Sequence, residues 1–422
     1  ALIDVNTPVG GVVADDVAKL AVIKTYLNIQ SEAYGTVKDK APLKNVPAGY
    51  YLCVDKGVVG DDGIETVGPG EAYSLYVVEV VGPTVIEPKK GTVESDKKVK
   101  DINDSVSTDY TDWEASADYD IGDAVPFQLS AKLPVDYANY ETYKLTFHDT
   151  QSEGLTFDSS SVKVYVDGAE ITEGFSVVAA KEATEAEPAV PGPGDGCTFE
   201  VQFADVKAIS AAKAGSTITV EYTSTLNDKA LVGSAGNGNT MHVEFSNNPN
   251  HSAAGDTDNT GTTPEDTVVV FTYKTVVNKV DEKGDALTGA GFTLYKKDAK
   301  GNYNVVGEEV TGTDLTTFEW KGLDDGDYKL VETTTPAGYN TMDPIEFKIV
   351  AETNGVISTN LTNVFTADVE AGSLTADIEN TKGSILPSTG GMGTTILYLV
   401  GALLIIGAGT TLVMRRRRAE EN

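Results

Sequence analysis

The C-terminal segment places the strongest constraint on the topology of this chain. Residues 391–414 carry no charged side chain, and four consecutive arginines, Arg415 to Arg418, follow them. Because a helix rises about 1.5 Å per residue, this segment is long enough to cross a hydrocarbon core of about 30 Å. Arginines are costly to translocate and are expected to stay in the cytoplasm. The segment therefore predicts a transmembrane helix, with the residues before it outside the cell.

A short motif lies directly before this apolar segment, and it consists of Leu386, Pro387, Ser388, Thr389 and Gly390. The motif, the span and the basic tail, in this order, resemble the LPxTG cell-wall sorting signal of Gram-positive surface proteins. The resemblance implies that a sortase cleaves between Thr389 and Gly390 and passes the acyl group to an amine. The alternative is a plain membrane anchor, which leaves the pentapeptide unexplained.

The composition indicates an extracellular structural protein. The formal net charge is −32, which argues against binding to nucleic acid and favours a soluble, self-repelling surface. The two cysteines, Cys53 and Cys197, lie far apart in the chain. This spacing does not support a disulfide framework, and Cys53 is expected to be a buried thiol within an apolar strand.

Short strand-like runs separated by glycine and proline turns predict an all-β fold. Helical periodicity is scarce, and the spacing of the runs favours tandem immunoglobulin-like β-sandwich domains. We expect an N-terminal unit at residues 1–90 that is short or incomplete, a second at 91–273, a third at 274–383 and a sorting segment at 384–422.

Strand alternation places three polar side chains in the core of the third unit. Alternate residues of a strand share one face, and Lys279, Glu332 and Asn380 each share a phase with apolar neighbours. An unpaired buried charge costs more free energy than such a small domain can tolerate. The three side chains are therefore expected to lie together and to neutralise each other.

The second unit contains the same set of residue types. Phase selects Lys97 rather than Lys98 and Asn247 rather than Asn248. It also places Asp149 on the inward face of its strand. For any one of these residues, a strand end that turns to solvent is an alternative explanation. Two units that each contain lysine, acid and asparagine in the same chain order are much harder to explain in that way.

These buried sets predict a chemical reaction. Burial disfavours charged forms, so the lysine tends toward the neutral amine and the carboxyl group toward the acid. A neutral amine is a nucleophile, and a protonated carboxyl group can polarise the asparagine side-chain carbonyl and shuttle protons. Contact supplies a very high effective concentration. We therefore expect Lys–Asn isopeptide bonds with loss of ammonia, assisted by Asp149 and Glu332. Each bond forms once per fold, so the chain is not an enzyme with turnover.

Several motifs resemble those of sortase-assembled Gram-positive pilins. Residues 328–339 resemble the E-box of a CnaB-type domain, and residues 278–281 and 289–294 match the opening of that domain. Residues 147–157 and 245–249 resemble the isopeptide-forming middle domain of shaft pilins. The resemblance extends from about residue 40 to the C-terminus. It implies tandem CnaA/CnaB-type domains and a structural shaft subunit.

Shaft pilins also carry a lysine near the end of the first domain, in a pattern resembling Tyr-Pro-Lys. Here the matching residues are Glu87, Pro88, Lys89 and Lys90, with Glu87 in place of tyrosine. The resemblance implies that Lys89 attacks the threonine acyl group of the next subunit. Lys90 is the second choice, and an ordinary linker lysine is the alternative explanation.

The resemblance also implies the partners and the location of the protein. The partners are a class C sortase for polymerisation, a housekeeping sortase for anchoring, copies of the same chain, minor pilins, peptidoglycan and host surface ligands. The expected location is the cell wall, with a precursor anchored in the membrane. The alternative function is a monomeric, wall-anchored LPxTG adhesin built from the same modules.

Other chemistry has little support in the sequence. His148, His242 and His251 do not have the spacing of metal ligands, and no nucleotide-binding or hydrolase motif is present. The acidic turn at residues 324–327 is expected to be a solvated hairpin turn rather than a cation site. No metal or cofactor is therefore expected.

Overall fold

The computed structural model describes residues 35, 43–54, 58–59, 65–73, 75–84, 91–180, 190–249, 260–352, 356–359 and 364–383. Within these ranges the regular elements are β-strands and two short 3₁₀ helices, Tyr137–Asn139 and Val206–Ala208, so the predicted all-β fold is confirmed there. No helix among the described residues is long and apolar enough to span a membrane. The predicted transmembrane segment, the LPSTG motif, Lys89 and Lys90 lie outside the described residues.

The first unit contributes two small antiparallel pairs to the described structure. Its strands are β1 (Gly49–Val54), β2 (Val58–Val59), β3 (Glu65–Thr66) and β4 (Leu75–Val80). β1 pairs with β4, and β2 pairs with β3. Ala72 is 1 % exposed and packs with the core of the second unit, and its N–H donates to the carbonyl of Gly91 over 2.8 Å. The end of the first unit is thus joined to the second by packing as well as by the chain.

The second unit is a sandwich of two sheets. One sheet has the strand order β10-β9-β13-β7-β5, and the other has the order β11-β12-β8-β14-β16-β6, with β15 paired to β14. The strands are β5 (Glu94–Val99), β6 (Ser116–Asp118), β7 (Ala124–Lys132), β8 (Leu145–Gln151), β9 (Leu155–Val166), β10 (Ala169–Ile171), β11 (Ser176–Ala179), β12 (Phe199–Phe203), β13 (Thr217–Leu226), β14 (Asn237–Ser246), β15 (Thr260–Thr262) and β16 (Asp266–Phe271).

The third unit is a smaller sandwich whose first strand starts at Tyr273, one residue before the expected boundary. Its sheets have the orders β20-β17-β25-β24 and β19-β18-β21-β22-β23. The strands are β17 (Tyr273–Asp281), β18 (Gly291–Lys297), β19 (Tyr303–Thr311), β20 (Thr317–Leu323), β21 (Gly326–Thr334), β22 (Ile345–Glu352), β23 (Val356–Thr359), β24 (Thr366–Asp368) and β25 (Ser373–Asn380). The first and last strands, β17 and β25, are parallel neighbours.

Each sandwich has its own apolar core because alternate strand residues point between the two sheets. In β13, for example, every second side chain from Ile218 to Leu226 is buried. The second core includes Phe127, Phe147 and Phe203, and the third includes Phe292. The polar side chains that share these inward phases are consequently removed from water together with the apolar ones.

The second and third units meet through a polar junction. Lys296 forms ion pairs with Asp104 and Asp120 at 2.6 Å and with Asp324 at 3.1 Å. The N–H of Asp325 donates to Asp118 over 3.0 Å. The expectation of a solvated turn at residues 324–327 is therefore wrong for Asp324, whose side chain is 2 % exposed. The turn does connect β20 to β21, but the second unit covers it.

Backbone also approaches backbone at this junction. A Cβ atom built on Gly372 would lie 2.3 Å from the Cα of Gly233, and both glycines have positive φ. The N–H of Gly233 donates to the carbonyl of Thr272 over 3.0 Å. A side chain at either glycine would push the two units apart.

Candidate cross-linking sites

In the second unit, Lys97 and Asp149 form an ion pair between the two sheets. Lys97 lies on the edge strand β5 of one sheet, and Asp149 lies on β8 in the centre of the other. The Lys97 Nζ is in direct contact with Asp149 Oδ2, and both side chains are fully buried. Tyr222 on β13 donates its hydroxyl to Asp149 over 2.9 Å and accepts from Lys97 over 3.2 Å.

The asparagine that joins this cluster is Asn239, not Asn247. Asn239 is fully buried and donates its side-chain N–H to the Tyr222 hydroxyl over 2.9 Å. Asn247 follows β14 eight positions later, about 26 Å away at ~3.3 Å per residue. It is packed under Gly261 instead, where an added Cβ would lie 2.9 Å from the Asn247 Nδ2. The predicted Lys97–Asn247 pair is therefore not brought together.

The physical reason for this difference is register. Asn239 and Asn247 have the same alternation phase on β14, so phase alone cannot separate them. The antiparallel pairing places Met241 opposite Asp149 and Asn239 opposite Gln151. Asn239 is thus one diagonal step from Asp149 on the same face, which is within reach of side-chain contact.

Burial shifts this lysine and acid pair toward its neutral form. Burial lowers the pKa of Lys97 below its ordinary value, against the attraction of Asp149. Burial raises the pKa of Asp149, against the attraction of Lys97 and the hydrogen bonds from Lys97 and Tyr222. Transfer of the shared proton to Asp149 removes both charges from the core and leaves a nucleophilic amine.

Two buried acceptor atoms identify where that proton can act. Among the described residues, Asp149 Oδ1 and Asn239 Oδ1 are both buried without a hydrogen-bond partner. Two acceptors cannot satisfy each other, but a carboxyl group protonated at Oδ1 becomes a donor. Such a donor aimed at the Asn239 carbonyl would polarise it for attack by the Lys97 amine.

In the third unit, Lys279, Glu332 and Asn380 are all buried at one end of the sandwich. Their exposures are 0 %, 4 % and 1 %. Lys279 on β17 lies opposite Ile378 on β25 and donates to its carbonyl over 2.6 Å. Asn380 follows Ile378 on the same face of β25 and donates to Glu332 Oε1 over 2.7 Å.

The lysine of this cluster is also shifted toward its neutral form. Burial lowers the pKa of Lys279 to about 8, against the attraction of Glu332. Glu332 Oε2 accepts from the N–H of Met342 over 2.9 Å, which fixes the carboxyl group beside the amide. Asn380 Oδ1 is a buried acceptor without a partner among the described residues. Rotation of this amide by half a turn would place Oδ1 against the Glu332 carboxyl group, the position from which an acid could act on the carbonyl.

The arrangement in both units can perform amide exchange. The amine nitrogen attacks the side-chain carbon of asparagine, and the acid protonates first the carbonyl oxygen and then the departing nitrogen. A Lys–Asn amide bond forms, the asparagine C–N bond breaks, and ammonia leaves. Tyr222 and Asn239 are the residues that sequence reasoning missed, because their participation depends on cross-strand register.

Both cysteines are free thiols in the structure, as the absence of a disulfide framework predicts. Cys53 on β1 is only partly buried, which differs from the expected buried thiol. Burial nevertheless raises its pKa above the ordinary value.

Comparison with known families identifies three segments of the chain. Residues 121–249 match the Gram-positive pilin backbone subunit 2, Cna-B-like domain. Residues 274–364 match the SpaA prealbumin-like fold domain, and residues 378–421 match the LPXTG cell wall anchor motif.

Similar whole proteins are also known. The chain is 26 % identical over 370 residues to the trypsin-resistant surface T6 protein of Streptococcus pyogenes serotype M6, and the match covers 71 % of this chain and 65 % of that protein. The solved structure of the T6 backbone pilin from the same serotype superposes with a TM-score of 0.52 at 19 % identity. That superposition covers 80 % of this chain and 81 % of that one, and it shows a shared fold.

Proposed function

We propose that the chain is a backbone pilin of Gram-positive bacteria, the structural shaft subunit of a covalently polymerised, sortase-assembled pilus on the cell wall, and the matches to a pilin backbone domain and to the LPXTG anchor motif support this. Its role is mechanical and not that of an enzyme with turnover. The domain bounds belong to this proposal: an N-terminal unit at 1–90, the two sandwiches at 91–273 and 274–383, and a sorting segment at 384–422.

The observation that carries this proposal is the pair of buried lysine, acid and asparagine clusters. A fully buried ion pair such as Lys97 and Asp149 is costly to desolvate and is weak support for stability by itself. A reaction that turns lysine and asparagine into an amide removes this cost permanently. We propose bonds between Lys97 and Asn239, assisted by Asp149, and between Lys279 and Asn380, assisted by Glu332.

Polymerisation requires an electrophile and a nucleophile on different subunits. The LPSTG motif supplies the electrophile when the sortase converts the Thr389 carbonyl to a thioester. Lys89, between Pro88 and Gly91 at the boundary of the first and second units, is the proposed amine, and Lys90 is the second choice. Lys97 and Lys279 cannot serve, because their amines are buried and used internally.

The partners follow from these two reactions. A class C sortase joins successive copies of the chain, and a housekeeping sortase transfers the finished polymer to peptidoglycan. Minor pilins and host surface ligands complete the proposed set of partners. The predicted C-terminal helix holds the precursor in the membrane until the sortase acts.

A denaturing gel of cell-wall extracts, probed with an antibody against this chain, tests the proposal. A ladder of covalent multimers is expected, and a Thr389→Ala variant should remove it by blocking the acyl transfer. A single wall-linked band in the parent would overturn the shaft role and favour the monomeric adhesin.

A further inference from the structure

The outer face of the larger sheet in the second unit carries a row of polar side chains. Glu200 on β12, His148 on β8 and His242 on β14 lie opposite one another in register. They point away from the core, because His148 alternates with the buried residues Phe147 and Asp149. This row is therefore separate from the cross-linking cluster on the inner face of the same strands.

The segment that enters β12 brings two more ligand-type groups onto this row. Asp195 Oδ2 lies 2.8 Å from His148 Nδ1, and Cys197 Sγ lies 3.8 Å from the same nitrogen. The Sγ of Cys197 is 3.2 Å from Asp195 Oδ2. A nitrogen, a sulfur and a carboxylate oxygen thus converge on one point, although Asp195 and Cys197 lie 47 and 49 residues after His148 in the sequence.

We propose that His148, Asp195 and Cys197 bind a divalent transition-metal ion, with Zn²⁺ as the best match. Zinc takes sulfur, imidazole nitrogen and carboxylate oxygen as ligands in tetrahedral geometry. In such a tetrahedron the ligand atoms are separated by about 3.3–3.6 Å. The two separations that involve Cys197 Sγ lie within about 0.2 Å of this range. The separation between His148 Nδ1 and Asp195 Oδ2 is about 0.5 Å shorter than the range, so the ion fits once the Asp195 side chain moves back slightly. Binding would displace the thiol proton to solvent.

The surroundings of His148 orient its ring for this role. The Nδ1 atom faces the other two ligands, while Nε2 lies 3.7 Å from Glu244 Oε2. Glu244 is itself held by Lys144 at 2.6 Å. Ligating histidines commonly present the second nitrogen to a carboxylate, which fixes the tautomer. His242 stacks on the His148 ring with centroids 4.7 Å apart and an interplanar angle of 4°, which restrains its tilt.

A tetrahedral ion needs a fourth ligand. Glu200 Oε1 lies 3.4 Å from His148 Nδ1 and can reach the ion, and otherwise water completes the shell. The hydrogen bond from Gln202 to the other carboxylate oxygen holds Glu200 in place. The bound ion would fasten the segment before β12 onto β8, where Thr198 already donates to the Asp149 carbonyl over 2.8 Å.

The test uses the full-length chain, purified without a polyhistidine tag and titrated with Co²⁺ and then with Zn²⁺. We expect one equivalent of Co²⁺ to give a thiolate charge-transfer band, and Zn²⁺ to displace it. Cys197→Ser should abolish the band, while the matched Cys53→Ser variant should retain it. A Glu244→Gln variant should weaken Zn²⁺ binding by about tenfold or more.

Asp195→Asn provides a second ligand variant at a side chain that is 41 % exposed, so folding is preserved. It should also weaken Zn²⁺ binding by at least about tenfold, because the loss of a direct ligand costs no less affinity than the loss of Glu244, which contacts the ligand His148. Absence of a thiolate band in the parent, or a band that survives Cys197→Ser, would overturn the proposal. Unchanged Zn²⁺ affinity in Asp195→Asn would do the same.

Discussion

Lys279 lies directly opposite Ile378 in the parallel pair that joins the first and last strands of the third unit. Asn380 follows two positions later and shares the face of Ile378, so the lysine amine and the asparagine amide belong to adjacent strands. A bond between them bridges the entry and exit of the unit. In the second unit Lys97 and Asn239 lie in different sheets, so the bond there would bridge the sandwich.

The proposed bonds predict a mass deficit. The purified chain should be lighter than its sequence mass by two molecules of ammonia, because each amide exchange releases one. Intact-mass spectrometry measures this directly. Asp149→Ala and Glu332→Ala should each restore the mass of one ammonia, and an unmodified parent mass would refute both bonds.

A matched pair of variants separates the two asparagines of β14. Asn239→Ala should restore the ammonia that the second unit loses, since Asn239 shares Tyr222 with Lys97. Asn247→Ala should leave the deficit unchanged. The opposite result would return the assignment to Asn247 and would require a different register from the one observed.

The bonds should also raise stability and resistance to trypsin. Each one closes a loop of more than a hundred residues, and by analogy with a disulfide of that size the contribution is ~4–5 kcal/mol. Lys279→Ala should therefore lower the melting temperature and make the third unit susceptible to cleavage by trypsin. Lys283→Ala, at an exposed lysine, should change neither property. For the second unit the pair is Lys97→Ala and Lys98→Ala. Equal melting curves within either pair would contradict the prediction.

Polymer formation should depend on Lys89 or Lys90. We expect a Lys89→Ala, Lys90→Ala double variant to remain a single band on a denaturing gel, because the acceptor amine is gone. Tandem mass spectrometry of the parent polymer should show a branched peptide that joins Lys89 to Thr389. Polymer in the double variant would move the acceptor to another lysine of the first unit.

The junction between the sandwiches should weaken at alkaline pH. Burial, with Asp325 and Asp101 as nearby negative charges, raises the pKa of Asp118 to about 8. The folded chain then keeps a proton that the unfolded chain releases near pH 4. This contribution to stability is complete below about pH 4 and is lost as the pH rises through 8.

Melting temperatures measured between pH 5 and 9 check this expectation. The decline should be steepest at about pH 5–7, where the folded chain holds this proton and the unfolded chain does not, and it should level off above about pH 8. Asp118→Asn should flatten it because the amide does not titrate. The remaining acids that face Asp118, namely Asp101, Asp324 and Asp325, contribute their own titrations and set the residual slope. If the melting temperature of Asp118→Asn falls with pH as steeply as that of the parent, protonation of Asp118 does not contribute to the stability of the junction.

Strand alternation is sufficient to predict which side chains enter the cores. It correctly places Lys97, Asp149 and Glu332 inside because phase is a local property of each strand. It cannot choose between Asn239 and Asn247, since pairing register depends on residues of another strand. Strand alternation also cannot predict the contact between His148 and Cys197, because the segment around Asp195 has turn-forming composition and no periodicity. The burial of Asp324 depends on the neighbouring unit, which a single hairpin sequence does not describe.

The parallel pairing of β17 and β25 has a further consequence for a chain under load. With Lys279 bonded to Asn380, a pull that enters along β17 crosses the bond and leaves toward the C-terminus. Residues 280–379 then lie outside the force path. Unravelled, they would release roughly 340 Å of contour at ~3.4 Å per residue, and the bond keeps this hidden length out of reach. A shaft of such units would behave as an inextensible tether that passes each tug to the wall without damping it.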